Sequence, residues 1–259
     1  MSYLRIVYKF FKHFLTARHT GGFGVHSPFM FKFINIVLAE KHPFYVFNKI
    51  EKVRESLKLN KRILDVVDFG TGDNRRRTVS DIAFNSLKSK RHAQLLYRII
   101  RYCGAKNVLE LGTSLGVTTA YLASVNESIR CYSMEGSADI ATVAAENFRS
   151  LGINNITLIV GNIDESLPEF LSHSEALDFV FVDANHRSEA VLNYVNLIIP
   201  QLHNASVLVV DDIYWSVDME FAWSQIKNLS QVTSTIDLFH FGIVFFNVDL
   251  NKKHYKVRY

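Results

Sequence analysis

The first eighteen residues, MSYLRIVYKFFKHFLTAR, carry apolar positions at helical spacing. Leu4, Val7, Phe11, Phe14 and Leu15 fall near one face, with Arg5, Lys9, Lys12 and His13 elsewhere. Such a basic amphipathic helix is expected to pack its apolar face on its own domain or on a dimer partner, and a membrane surface is the alternative use of the pattern. Three glycines and a proline in TGGFGVHSPF end it. A second helical region is expected over roughly Met30 to Leu59. From about His92 the periodicity alternates. HAQLLYRIIRYC reads as a helix closed by Gly104, and NVLEL as a strand. VTTAYLASV is a helix, IRCYSME a strand, and a helix opens at Ser137 and ends near Gly152. Strand ITLIVG and a short helix near Leu167–Leu171 follow. LDFVFVDA is almost wholly apolar, as a parallel strand covered on both faces should be. Helix SEAVLNYVNLII, strand ASVLVVDD and a helix over Met219–Leu229 lead to VTSTIDLFHFGIVFFNV, a hairpin with its expected turn near His240–Gly242.

This alternation predicts an α/β fold: a Rossmann-like, seven-stranded, mostly parallel sheet with helices on both faces and a C-terminal antiparallel hairpin. A helical N-terminal extension over 1–89 is expected to precede the main domain at 90–259, as a lid, substrate surface or dimer surface. The 259 residues suffice for that plan, and 48% hydrophobic with 21% charged residues is an ordinary globular balance. Cys103 and Cys131 have no zinc-type spacing and suit a reducing compartment. No apolar run is long enough for a bilayer, and charged residues interrupt the N-terminus where a signal peptide would be apolar. A cytoplasmic protein is expected.

Charge changes the picture in one respect. The net +4 divides into +14 over residues 1–106 and −10 over the remainder. A basic surface for an anionic substrate, nucleic acid or membrane is one reading, and two mutually complementary or merely solvated halves is the other. Arg75, Arg76 and Arg77 read as a solvated run, with an anion clamp as the alternative.

Two glycine-rich stretches compete for a cofactor. VDFGTGDN, Val67 to Asn74, is followed by three arginines and by no strand ending in an acid, so it reads as a plain turn. LELGTSLGVTT, Leu109 to Thr119, has a buried strand before it, a helix after it, and Glu135 ending the next strand to receive ribose hydroxyls. Its E-x-G-x-x-x-G spacing differs from the dinucleotide G-x-G-x-x-G, which fits a cofactor without phosphates.

With Glu110, Gly112, Gly116, Glu135, Asn162, FVDANH and the final hairpin, the chain from about Lys90 onward resembles the class I S-adenosylmethionine-dependent methyltransferases. The resemblance implies that Gly112, Thr113, Ser114 and Gly116 flank the methionine part of the cofactor and that Glu110 sits beneath it. It places Glu135 on the ribose diol, Asn162 near the adenine and Asp183 beside the cofactor.

Acids at the ends of two adjacent strands, in FVDANHR and VVDDIYW, further resemble the metal-dependent O-methyltransferases of the catechol and caffeoyl-coenzyme A type. The resemblance implies that Asp183, Asp211 and Asp212 hold a divalent cation, Mg²⁺ by preference and Ca²⁺ or Mn²⁺ otherwise. Asp212 stands where that group has an amide. His186 stands where it has a lysine, as a general base or as a cap for the helix at Ser188. Asp183 and His186 are the catalytic candidates, and Tyr214 and Trp215 the candidate walls of a substrate pocket. The expected activity is O-methylation of a small hydroxylated molecule, in a homodimer. A tRNA-modifying methyltransferase, a non-catalytic cofactor binder, and an enzyme touching membranes through residues 1–18 are the rivals.

Overall fold

The computed structural model describes residues 3–67, 69 and 75–259. The first glycine stretch therefore lies outside the described residues, apart from Val67 and Phe69.

Helix α1 (Tyr3–Thr16) reverses the expected orientation. Arg5 and Lys9 both pair with Glu220, and the His13 ring nitrogen Nε2 lies 2.9 Å from Asp237 Oδ1. These residues recur every four positions and share the inner face. Leu4, Tyr8, Phe11 and Leu15, on another face, are 77%, 64%, 59% and 75% exposed. The helix buries its polar stripe because two acids more than two hundred residues away receive it.

Ser27 caps α2 (Pro28–Lys32), and Phe33–Leu38 continues it as a π-helical turn. The helical region expected over roughly Met30 to Leu59 is divided around Pro43, which lacks an N–H and disfavours a helical residue before it. Helix α3 (Tyr45–Leu59) begins afresh. The arginine run is not a loop: β1 (Ile63–Val66) pairs antiparallel with β2 (Arg75–Thr78), Leu64 facing Arg77.

Thr78 caps α4 (Val79–Asn85), and Ser89 caps α5 (Lys90–Cys103), which stops at Gly104 in the left-handed conformation, as expected. Then follow β3 (Asn107–Leu111), α6 (Val117–Ala123), β4 (Arg130–Glu135), α7 (Ala138–Leu151), β5 (Ile156–Val160) and α8 (Ile163–His173). Strands β3 and β5 both run parallel to β4, with Glu110 beside Ser133 and Glu135 beside Val160. Phe47, Ile50, Leu64, Tyr97, Leu115, Tyr121 and Ile140 meet in a core that joins α3 to α5, α6 and α7. Residues 42–175 form one compact unit.

The other unit comprises residues 1–41 and 176–259. To α1 and α2 it adds β6 (Leu177–Val182), α9 (Ser188–Ile198), β7 (Leu202–Asp211), α10 (Val217–Asn228), β8 (Ser234–Asp237), β9 (Phe241–Phe245) and β10 (Lys253–Lys256). Their order is β10-β8-β9-β7-β6. β6 and β7 are parallel, β9 is antiparallel to β7 and β8, and β10 lies parallel to β8. The α/β class, the mostly parallel strands and the terminal hairpin match the sequence reading. Strand β10 is an addition to the seven expected. The hairpin turn sits at residues 238–240, two residues earlier than expected. Phe239 takes a φ of 76° and stacks on Tyr214 at 5.2 Å between centroids. Gly242 is within β9 instead, where a Cβ would meet the Trp223 ring at 2.6 Å. An aromatic residue in a left-handed turn leaves no local signal, whereas a glycine invites a turn assignment.

Candidate active site

In the 42–175 unit, β3 delivers the chain into the second glycine stretch. Gly112, Ser114 and Gly116 have φ values of 99°, 48° and 77°. The backbone N–H groups of Gly112 and Thr113 both donate to the Met134 carbonyl at 3.0 Å, which lays the turn across the end of β4. The Ser114 N–H donates to Glu135 Oε2 at 2.8 Å, and the Ser137 N–H to Glu135 Oε1 at 3.0 Å. Glu135 thus holds the glycine turn and the start of α7 with one carboxylate. Gly116 serves packing as well as conformation, because a Cβ there would lie 2.6 Å from the Phe148 ring.

Glu110 is fully buried beneath the turn. Its Oε2 accepts from Thr119 Oγ1 at 2.5 Å and from Ser133 Oγ at 2.6 Å, and Ser133 Oγ also lies 2.6 Å from Thr113 Oγ1. Glu110 Oε1 has no hydrogen-bond partner. Burial raises the carboxyl to about 7; the Ser133 and Thr119 hydrogen bonds oppose that rise and the Glu135 charge adds to it. The buried Ser137 Oγ, two residues past Glu135, is unpartnered too. Two orphaned polar oxygens beside a turn of positive-φ residues are what a site awaiting a polar ligand should show. Thr119 and Ser133 escaped the sequence reading, and Ser137, expected to cap α7, bounds that helix without a side-chain cap hydrogen bond. Ser133, in an otherwise buried strand opposite Glu110, was the available signal.

Asn162 caps α8: its Oδ1 accepts from the Asp164 N–H at 3.1 Å, and its Nδ2 faces Glu165 Oε1 at 3.5 Å. The residue is half-buried at the end of β5, so capping accounts for its side-chain oxygen.

The other unit carries the acidic strand ends. Val182 pairs with Val210, so Asp183 and Asp211 leave β6 and β7 at the same level. Asp211 is buried and Asp183 half-buried. Asp212 follows with a φ of 50°, and its Oδ1 lies 3.9 Å from His240. Among the described residues, no group of three or more His, Cys, Asp or Glu side chains is placed to hold a metal ion. The divalent cation expected from the sequence thus has no such ligand group among the described residues.

His186 is exposed, and α9 takes Arg187 as its N-terminal boundary without a side-chain cap. The cap comes from α10: Asp218 accepts from the Ser188 N–H at 2.5 Å and from Ser188 Oγ at 2.6 Å. His186 is thus not the helix cap. Tyr214 is an internal strut. Its hydroxyl donates to Asp237 Oδ2 at 2.6 Å, the carboxylate whose other oxygen meets His13 and the Phe239 N–H. Burial, then the Asp237 charge, pushes the Tyr214 phenol well up. Burial also opposes the Asp237 carboxylate, but the His13 and Tyr214 contacts outweigh it and hold that group below the ordinary range. Trp215 is exposed.

Comparison with known proteins agrees with the geometry. Residues 109–213, from the middle of β3 to just past β7, match the Methyltransf_24 methyltransferase domain family. The O-methyltransferase imqG of Aspergillus flavus is 31% identical over 116 residues, 42% of this chain and 46% of that protein. The catechol O-methyltransferase of Niastella koreensis is 28% identical over 100 residues, 38% of this chain and 45% of that protein. The chain thus spans less than half the length of these curated relatives. Among solved structures, the Bacillus cereus O-methyltransferase in complex with SAH aligns with a TM-score of 0.56 at 17% identity, covering 79% of this chain and 92% of that one. The O-methyltransferase TomG of Streptomyces achromogenes, in complex with SAM, gives 0.57 at 18% identity, covering 79% and 91%. The resemblance to class I methyltransferases read from the sequence is matched, and the fold is theirs.

Proposed function

We propose that the protein is an S-adenosylmethionine-dependent O-methyltransferase acting on a small hydroxylated acceptor. One observation carries the reading: the Gly112–Gly116 turn is pinned to β4 by Met134 and Glu135 above a buried Glu110 whose Oε1 has no partner. The cofactor, when bound, supplies a methyl group already activated on a positively charged sulfur. Gly112, Thr113, Ser114 and Gly116 would hold its methionine part against backbone, and Glu135, at the end of β4, would accept from the ribose diol. Glu110 would place negative charge under that cationic ligand without touching water. Asn162, by its position after β5, would border the adenine.

On the acceptor side, His186 and Asp183 at the end of β6 are the groups proposed to take the hydroxyl proton, and Trp215 to flank the acceptor. No step is assigned to a metal, since no metal-holding group of side chains occurs among the described residues.

The test is methyl transfer from labelled S-adenosylmethionine into small-molecule and RNA fractions of a cell extract, each with and without EDTA. Label in small molecules supports the reading. Label confined to RNA, or none at all with the cofactor bound, overturns it. Loss of transfer with EDTA and recovery with Mg²⁺ would return the metal to the mechanism. Binding gives a separate check: Glu135→Gln should weaken S-adenosylhomocysteine by about tenfold to a hundredfold in calorimetry, the worth of a charged hydrogen bond. Unchanged affinity would remove Glu135 from the ribose.

A further inference from the structure

The outer face of α1 is apolar, and the inner face is tied down. Arg5 and Lys9 pair with Glu220 and His13 with Asp237, so three polar anchors over two turns fix the rotation of the helix. Leu4, Tyr8, Phe11 and Leu15 are consequently held toward solvent, each more than half exposed. Soluble proteins normally turn such a stripe inward. The neighbouring α10, which supplies Glu220, adds exposed Val217 and Phe221.

We infer that this face is a docking surface for an anionic lipid bilayer, on which α1 lies flat. Three observations favour a membrane over a second copy of the chain. The first is charge: residues 3–41 hold six Lys and Arg against the single acid Glu40. Arg5 and Lys9 are engaged by Glu220, whereas Lys12, Arg18, Lys32 and Lys41 are exposed. Exposed cations of this kind attract acidic headgroups and repel their own copies across a twofold interface. The second is area. At roughly 150–200 Å² a side chain, the stripe together with Val217 and Phe221 offers roughly 700 Å², still short of the ~800 Å² per partner of a standard interface. The third is composition, since leucine and aromatic residues over a basic flank are the side chains that settle at the headgroup boundary. The 14-residue helix is about 21 Å long, too short for a hydrocarbon core of about 30 Å. No helix among the described residues is long and apolar enough to cross a membrane. The helix therefore lies on the bilayer and does not span it.

The experiment is flotation of the full chain with vesicles of phosphatidylcholine alone and of phosphatidylcholine with about 30% phosphatidylserine. The chain is expected to float with the acidic vesicles and much less with the neutral ones. The double variant Phe11→Asp with Leu15→Asp, at exposed positions that leave the inner anchors intact, should lose about tenfold or more in partitioning with an unchanged melting temperature. Lys12→Glu should lose less, by an amount that added salt reproduces in the unsubstituted chain. Failure of the unsubstituted chain to float, or equal flotation of the double variant, overturns the inference. So does a dimer on gel filtration that the double variant converts to monomer in the absence of flotation, because a second copy would then cover the stripe.

Discussion

Glu110→Gln isolates the charge that the fold holds beneath the glycine turn. The carboxyl is fully buried and raised from 4.5 to about 7. An acid whose folded pKa lies above its unfolded one binds more protons folded than unfolded between those values, so stability falls as pH rises through that window. Below about pH 4.5 both states are protonated and the penalty vanishes, and above about 7 it is complete. A rise of about 2.5 units at 1.36 kcal/mol per unit amounts to about 3 kcal/mol. Glutamine keeps the shape and one acceptor for Thr119 and Ser133 but cannot ionise. The stability of the variant relative to the unsubstituted chain should therefore climb by about 3 kcal/mol between pH 4.5 and 8. In melting temperature that is roughly 6–12 °C for a chain of this size. The assay is thermal unfolding of both proteins across that pH range, read as the difference between the two curves so that groups common to both cancel. Parallel curves would refute the reasoning, since Glu110 would then carry no charge penalty. The same charge should be useful to a cationic ligand: S-adenosylmethionine affinity should rise with pH through about 7 in the unsubstituted chain and stay flat in Glu110→Gln.

Gly116→Ala must adopt a φ of 77° and push its Cβ against Phe148, so a loss of about 2–4 kcal/mol in urea unfolding is expected, and an unchanged midpoint would contradict it. Asp237→Asn should destabilise by about 2–4 kcal/mol at neutral pH by breaking the His13 and Tyr214 contacts. Because the native Asp237 pKa is depressed, that stability is present above the ordinary aspartate value and is lost as pH falls through the native one; a gap between the two proteins that fails to shrink in acid would count against it. His186→Ala should lower kcat more than it raises KM for the cofactor, and equal turnover in a steady-state assay would remove the base assignment.

Much of the fold was legible because it is written in local periodicity. β3, β4, β5, β6 and β7 are short apolar runs between helices, and Gly104, Gly152 and Ser89 mark helix ends with local backbone or hydrogen-bond chemistry. The glycine turn was legible for the same reason: strand, turn, helix and the next strand's acid are consecutive in the chain, so Glu110, Gly112, Gly116 and Glu135 announce one another by spacing. The network that makes Glu110 unusual was less visible, since Thr119 and Ser133 join it only through strand pairing and helix placement.

What sequence alone determined about this protein is its α/β class, the glycine turn and the acids flanking it, all set by short-range spacing and backbone conformational preference. Tertiary structure decided which way α1 faces, that the Tyr214 hydroxyl braces Asp237, and that Asp218 supplies the cap of α9. Amphipathicity says that a helix has two faces; only distant partners, here Glu220 and Asp237, decide which face is buried. A hydroxyl or carboxylate likewise has one chemistry but several candidate partners, and the choice depends on which residues the fold brings within about 3 Å of it.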